Sequence, residues 1–144
     1  HKGREEFLVR DGMDMALCNY DPERMVLEYA GANAPLYIVR DGEVLRFVPD
    51  KHPIGSFELE GKEFTDHRIE LEEGDMVYIF SDGYADQFGG PKGKKFLYKR
   101  FRELLLQISN YPADSQSSML EEAFRGWRGV HEQVDDILVI GMRA

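Results

Sequence analysis

Apolar residues along this chain come in short runs divided by turn residues up to position 80, and at helical spacing only after it. The runs at 13–20 and 25–30 read as paired strands around the turn Asp21-Pro22-Glu23-Arg24. Gly31-Ala32-Asn33-Ala34-Pro35 breaks the pattern, and 36–40 begins a third strand. Asp41-Gly42 is a two-residue hairpin signal, because both central positions of a type I′ turn need positive φ, and 44–48 is its returning strand. Residues 49–55, bounded by Pro49 and Pro53, follow no period and read as a surface loop. Alternation over 64–71 predicts a fifth strand, and the acidic turn Glu72-Glu73-Gly74-Asp75 leads into a sixth at 76–80. The pattern is that of an antiparallel meander.

Beyond Asp86 the segment 87–93 is rich in Gly and Pro, and a helix follows. Leu97, Phe101, Leu104, Leu105 and Ile108 share one face, with Lys99, Arg100, Arg102 and Glu103 largely on the other. Asn110-Tyr111-Pro112 stops it. A second helix is expected from Asp114 or Ser115 as N-cap, turning Met119, Leu120, Ala123, Phe124 and Trp127 inward and weakening at Gly126 and Gly129. The strand 137–142 closes the chain.

Chemistry enters where strands meet acids. The apolar run 76–80 ends in Ser81-Asp82-Gly83, with Asp86 one helical turn later, and Asp135-Asp136 stands directly before the last strand. Asp82, Asp86 and Asp135 offer oxygen ligands and no thiolate, which suits Mg²⁺ or Mn²⁺ better than Zn²⁺. The plain structural reading stands beside this one: Asp82 as a cap, Asp86 as a solvated side chain and Asp135-Asp136 as a turn.

At 144 residues the chain suits one domain, 1–144, able to bury a core without disulfides. The net charge of −9 argues against nonspecific nucleic-acid binding and against anionic membrane surfaces, and no apolar run is long enough to insert in a bilayer. A cytoplasmic setting is the expectation from the single Cys18, either free-standing or as the cytoplasmic domain of a membrane-tethered sensor. Cys18 lies in an apolar strand with no basic loop beside it and reads as core, not as a phosphate-attacking thiolate. Six of the 18 basic residues fall between Lys92 and Arg102, either a solvated helix face or a docking surface for a phosphorylated or acidic partner. His52, His67 and His131 lack a second ligand-type residue at convincing spacing and read as surface, hydrogen-bonded or loop histidines, and His1 as a chain-end remnant.

Four motifs in order, Asp11-Gly12-Met13-Asp14-Met15-Ala16-Leu17-Cys18, Leu27-Glu28-Tyr29-Ala30-Gly31-Ala32-Asn33-Ala34-Pro35-Leu36-Tyr37, Ser81-Asp82-Gly83 and Asp135-Asp136-Ile137, resemble the SpoIIE-like branch of the PP2C (PPM) metal-dependent serine/threonine phosphatases. The resemblance implies an α+β fold, a PP2C-like sandwich of antiparallel β-sheets flanked by helices, with two Mn²⁺ or Mg²⁺ ions at one end. It assigns metal binding to Asp82 and Asp135 and a weaker, additional site to Asp86, and it places Asp14, Gly83 and Asp136 along the site. The implied reaction is hydrolysis of phosphoserine or phosphothreonine, by metal-activated water, on a small anti-sigma-antagonist (STAS-like) protein of bacterial partner switching.

The family's early Asp followed by Gly-His-Gly, which supplies the carboxylate bridging both metals, has no counterpart in these 144 residues. Together with the opening His1, this reads as a piece of a longer polypeptide, incomplete at its N-terminus and weakly active or inactive alone. Exposed sheet edges in such a piece make self-association an expectation. The alternative is a non-catalytic phosphatase-like binding or sensor module in a signalling protein.

Overall fold

The computed structural model of the chain describes residues 14–48 and 66–144. In chain order the elements are β1 (Met15–Asp21), β2 (Val26–Ala32), β3 (Leu36–Arg40), β4 (Glu43–Phe47), β5 (Asp66–Glu70), β6 (Met76–Phe80), α1 (Gly83–Asp86), β7 (Phe88–Gly89), β8 (Lys94–Lys95), α2 (Leu97–Ile108), α3 (Ala113–Arg128) and β9 (Val139–Arg143). They build an antiparallel sheet ordered β1-β2-β5, a second ordered β4-β3-β6-β9, and the small β7-β8 ladder. The expected meander is present, with β9 added across β6 from the far end of the chain.

Strands β3 and β6 are the centre of the molecule because both of their faces are covered. Leu36, Ile38 and Val77 pack toward Leu27, Tyr29 and Ile69 of the first sheet. From the opposite face Tyr37, Val39, Met76, Tyr78 and Phe80 meet Phe101, Leu105 and Ile108 of α2 and the inner side of α3. Burial on both faces is why 76–80 is a continuous apolar run without alternation.

Several boundaries differ from the expectations. Strand β2 continues through Gly31 and Ala32, which pair with Ala16 and Met15, so the break is confined to 33–35. Gly31 permits this: a Cβ there would lie 2.1 Å from the Tyr29 hydroxyl, which donates a hydrogen bond to the Ala34 carbonyl. Asn33 then turns the chain at φ 55°. The Gly- and Pro-rich segment after Asp86 holds the β7-β8 ladder. Leu97, expected in the core, is 53% exposed at the helix start, where its φ of 73° takes it off the apolar face. The N-cap of α3 is Pro112, and Asp114 lies in the first turn. The last strand begins at Val139, not at 137.

Cys18 is also corrected. It is the cross-strand partner of Tyr29, but it lies on the edge strand β1 and is exposed. Partial burial pushes its thiol pKa up, which keeps the sulfur protonated. His67 stacks on Tyr29 with centroids 5.6 Å apart and meets Phe47 edge-on, so its surroundings are aromatic. Residues 1–13, the loop 49–55 with His52, and the start of the strand expected at 64 lie outside the described residues.

The turn that launches β6 is held by a buried ion pair. Arg40 Nε and Nη2 donate to the two carboxylate oxygens of Asp75 at 2.9 and 2.6 Å, and Asp75, 2% exposed, also accepts from the Glu72 N–H at 2.8 Å. Burial by itself would raise the Asp75 pKa, but the Arg40 and Glu72 hydrogen bonds outweigh it and hold the carboxyl below its usual value. A depressed folded-state pKa contributes stability above the unfolded pKa of roughly 3.9, and this is lost as pH falls through the folded value. Arg40→Ala is therefore expected to cost about 3 kcal/mol in urea unfolding at neutral pH, with the difference from the unsubstituted chain shrinking as the pH falls below the unfolded carboxylate value of roughly 3.9. A cost that stays constant through that range would contradict this assignment.

Candidate functional site

Strand β6 ends at Phe80, and the next residue fastens the end of the chain to it. The Ser81 N–H donates to the Leu138 carbonyl at 2.9 Å. Its hydroxyl accepts from the Leu138 N–H at 3.0 Å and donates to the Asp136 carbonyl at 3.2 Å. These bonds extend the β6-β9 pairing, whose last partners are Phe80 and Val139, by one more step. Gly83 completes the closure: a Cβ at this position would lie 2.2 Å from the Asp136 carbonyl oxygen. Main-chain pairing thus draws Asp135 toward Asp82 across 52 residues of intervening chain.

Asp82 occupies the N-cap position of α1, but its carboxylate makes no capping hydrogen bond. The helix closes through its main chain, with Asp86 N–H donating to the Asp82 carbonyl at 3.0 Å. The Asp82 side chain is left for the cleft. Its pKa is raised, first by partial burial, then by the charges of Asp86, Asp135 and Asp14, and last by a side-chain hydrogen bond with Asp135. Four carboxylates from three separated stretches of chain therefore act on one another.

Neighbouring groups fix their positions. Asn33 Nδ2 donates to Asp14 Oδ1 at 3.1 Å. Asp86 pairs with Lys95 of β8 at 3.6 Å, and is thus not simply solvated. Asp135 Oδ1 accepts from the Asp136 N–H at 2.7 Å. What Asp136 contributes to the closure is its main chain. Tyr98 on α2 faces the same field: burial, followed by the charges of Asp82 and Asp86, pushes its hydroxyl pKa up to about 12. A cleft of about 290 Å³ opens here, with Asp14, Asn33, Ser81, Asp82, Leu138 and Ile140 in its walls.

The structure therefore gathers Asp14, Asp82, Asp86 and Asp135, while His131 stays in the exposed loop after α3, its N–H bonded to Arg128. Sequence reasoning gave no site role to Asn33 or Tyr98, and it named Lys95 only within the basic run 92–102. Only Asn33 carried a signal, since Asn is among the few non-glycine residues that adopt positive φ. The donor set is oxygen-only and its like charges repel, so a hard divalent cation fits it in chemistry and in sign. Among the described residues, no three of His, Cys, Asp and Glu close into a metal cage.

A family model described as Stage II sporulation protein E (SpoIIE) matches residues 4–144. The chain belongs to the SpoIIE family. It is similar in structure to the SiaA-PP2C domain of Pseudomonas aeruginosa, with a TM-score of 0.84 and 28% identity over 99% of this chain and 56% of that one. The RsbU and RsbW domains of Rv1364c from Mycobacterium tuberculosis match at 0.73 and 21%, over 99% and 39% of the two chains. The Mn-presoaked phosphatase domain of SpoIIE from Bacillus subtilis matches at 0.63 and 18%, over 90% and 55%. No curated protein matches the chain. This SpoIIE-family chain thus has the expected α+β architecture of antiparallel sheets and helices and is homologous to PP2C phosphatase domains. It spans roughly half the length of SiaA-PP2C and of the Bacillus phosphatase domain, and less of Rv1364c. No described helix is long and apolar enough to cross a membrane.

Two glycines test the closure of the SpoIIE-family site. Gly83→Ala is expected to destabilise the fold by about 2 kcal/mol through the clash at Asp136. Gly126→Ala, in α3 with nothing within 4 Å of the added methyl, should be neutral or stabilise by up to about 1 kcal/mol. Urea unfolding of both variants measures the difference, and equal effects would contradict the role given to Gly83.

Proposed function

We propose that this chain contributes Asp82 and Asp135 as ligands, and Asp86 as a weaker one, to a binuclear Mn²⁺ or Mg²⁺ centre of a protein serine/threonine phosphatase. The carrying observation is the Asp82 carboxylate: it sits at a helix start without capping it and lies among three other carboxylates. A fold without a ligand gains nothing from that repulsion, whereas a divalent cation converts it into attraction. Asp14, held by Asn33, lines the cleft where the phosphoryl group would enter. Gly83 and Ser81 fix the distance between the two ligand-bearing turns.

Asp82, Asp135 and, more weakly, Asp86 would hold the ions, and the chemistry supplied there would be charge neutralisation of the phosphoryl group and activation of water near neutral pH. The protein's own residues hold the carboxylates in place, Asn33 at Asp14 and Lys95 at Asp86, and Leu138 and Ile140 give the cleft an apolar flank. The substrate class is a phosphoserine or phosphothreonine segment of a protein, with a STAS-like phosphoprotein as the physiological partner. A further carboxylate ligand is assigned to sequence outside these 144 residues, so the chain alone is expected to turn over slowly or not at all.

The test is Mn²⁺-dependent phosphate release from a phosphoserine peptide, measured for this chain and for a longer native chain with the preceding sequence. Release is expected only from the longer chain, and robust turnover by the 144 residues alone would contradict the division of ligands. Thermal unfolding supplies a second readout. Asp82→Asn removes one repelling charge, so without metal the melting temperature of the longer chain should hold or rise, while the rise produced by Mn²⁺ should disappear. An undiminished Mn²⁺ effect in that variant would overturn the role of Asp82.

A further inference from the structure

Beside the acidic cleft runs a second groove, of about 570 Å³, with the opposite charge. Tyr37 and Arg46 are direct cross-strand partners in β3 and β4, so their side chains share the face that packs against α2. From α2, Tyr98 and Arg102 stand one turn apart and close the other wall. The two grooves are continuous in structure. Asn33 lines both, and the Phe80 ring, directly before Ser81 and Asp82, packs 4.7 Å from Tyr37 and 6.2 Å from Tyr98.

Both guanidinium groups lack an ion-pair or hydrogen-bond partner among the described residues. The other arginines of the α2 segment and the second sheet are engaged: Arg40 with Asp75, Arg100 over Trp127, and Arg143 with the Ser109 and Tyr111 carbonyls. In a chain of net charge −9, two arginines left unpaired on an aromatic floor beside an acidic centre form a local inversion of the field.

We propose that this groove is a specificity subsite that holds the carboxylate-bearing flank of a phosphoserine or phosphothreonine peptide. Tyr37 and Tyr98 supply the apolar floor for the peptide backbone, and Arg46 and Arg102 pair with Asp or Glu side chains near the phosphorylated residue. Arg suits this better than Lys because its planar fork meets a carboxylate in two hydrogen bonds. The assignment rests on the reading of Asp82 and Asp135 as the phosphate-processing centre. It adds which phosphopeptides that centre prefers.

The experiment measures fluorescence anisotropy of two labelled phosphoserine peptides on the full native protein, identical except for three flanking Glu or three flanking Lys residues. Binding is read directly, so the result does not depend on turnover. Phosphate release from either peptide tests the phosphatase reading separately. At low salt the Glu-flanked peptide is expected to bind about tenfold more tightly, as two partly exposed ion pairs allow. That ratio should fall to about one in R46A/R102A and at high ionic strength. R46K/R102K should retain part of it, and K92A/K94A, which removes equal charge from the β7-β8 segment, should retain all of it. Arg46→Ala alone, at an exposed position on the edge strand β4, reduces the ratio without touching the helix. No preference in the unsubstituted protein, a preference surviving R46A/R102A, or equal loss in K92A/K94A would overturn the proposal.

Discussion

The pairing of β9 with β6 is the contact on which the rest depends. These strands are separated by three helices in the chain, and their ladder from Met76 and Arg143 to Phe80 and Val139 brings two distant turns to one end of a sheet. Ser81 carries the pairing past the end of the strand with both its main chain and its hydroxyl. Gly83 allows the Asp136 carbonyl to come closer than any side chain would permit. In Ser81-Asp82-Gly83, then, two residues build the joint and the one between them is left to face the cleft.

The electrostatics of the cleft run against the stability of the fold. Bringing Asp14, Asp86 and Asp135 near Asp82 raises the cost of ionising it, and Asn33 and Lys95 moderate that cost only at its edges. A buried carboxylate elsewhere in the same chain is treated in the opposite way. Asp75 has a bidentate arginine and a main-chain donor, and its pKa falls. One protein thus holds a carboxylate that is fully satisfied for structural reasons and a group of carboxylates that is not. The contrast supports the proposal that the second group serves a ligand and not the packing of the fold.

Much of this was legible in the sequence, for reasons that can be named. The run 76–80 is apolar at every position because β6 is covered on both faces, and Asp41-Gly42 could form only one kind of tight hairpin. The order of the motifs predicted the family and the sandwich. Hidden from the sequence were features that depend on long-range placement. Cys18 looked like core because its strand is apolar, but burial also depends on where the strand lies in its sheet, and Cys18 on edge strand β1 is exposed. Gly31 looked like a breaker, although its missing Cβ lets β2 run on beneath the Tyr29 hydroxyl. Arg102 could be read as a solvated helix face or as a docking surface, and only β3 and β4, which place Tyr37 and Arg46 opposite Tyr98 and Arg102, show the groove.

The proposed role of Asp82 and Asp135 as ligands of one metal centre is tested most directly by a double-mutant cycle on Mn²⁺ affinity. Calorimetric titration of the longer native chain, its Asp82→Asn and Asp135→Asn variants and the double variant would supply the four values. If both carboxylates serve that centre together, each single change weakens binding by at least about tenfold, roughly 1.4 kcal/mol, and the double variant is little worse than either. Losses that simply add, or a single variant that binds Mn²⁺ as tightly as the unsubstituted chain, would contradict it.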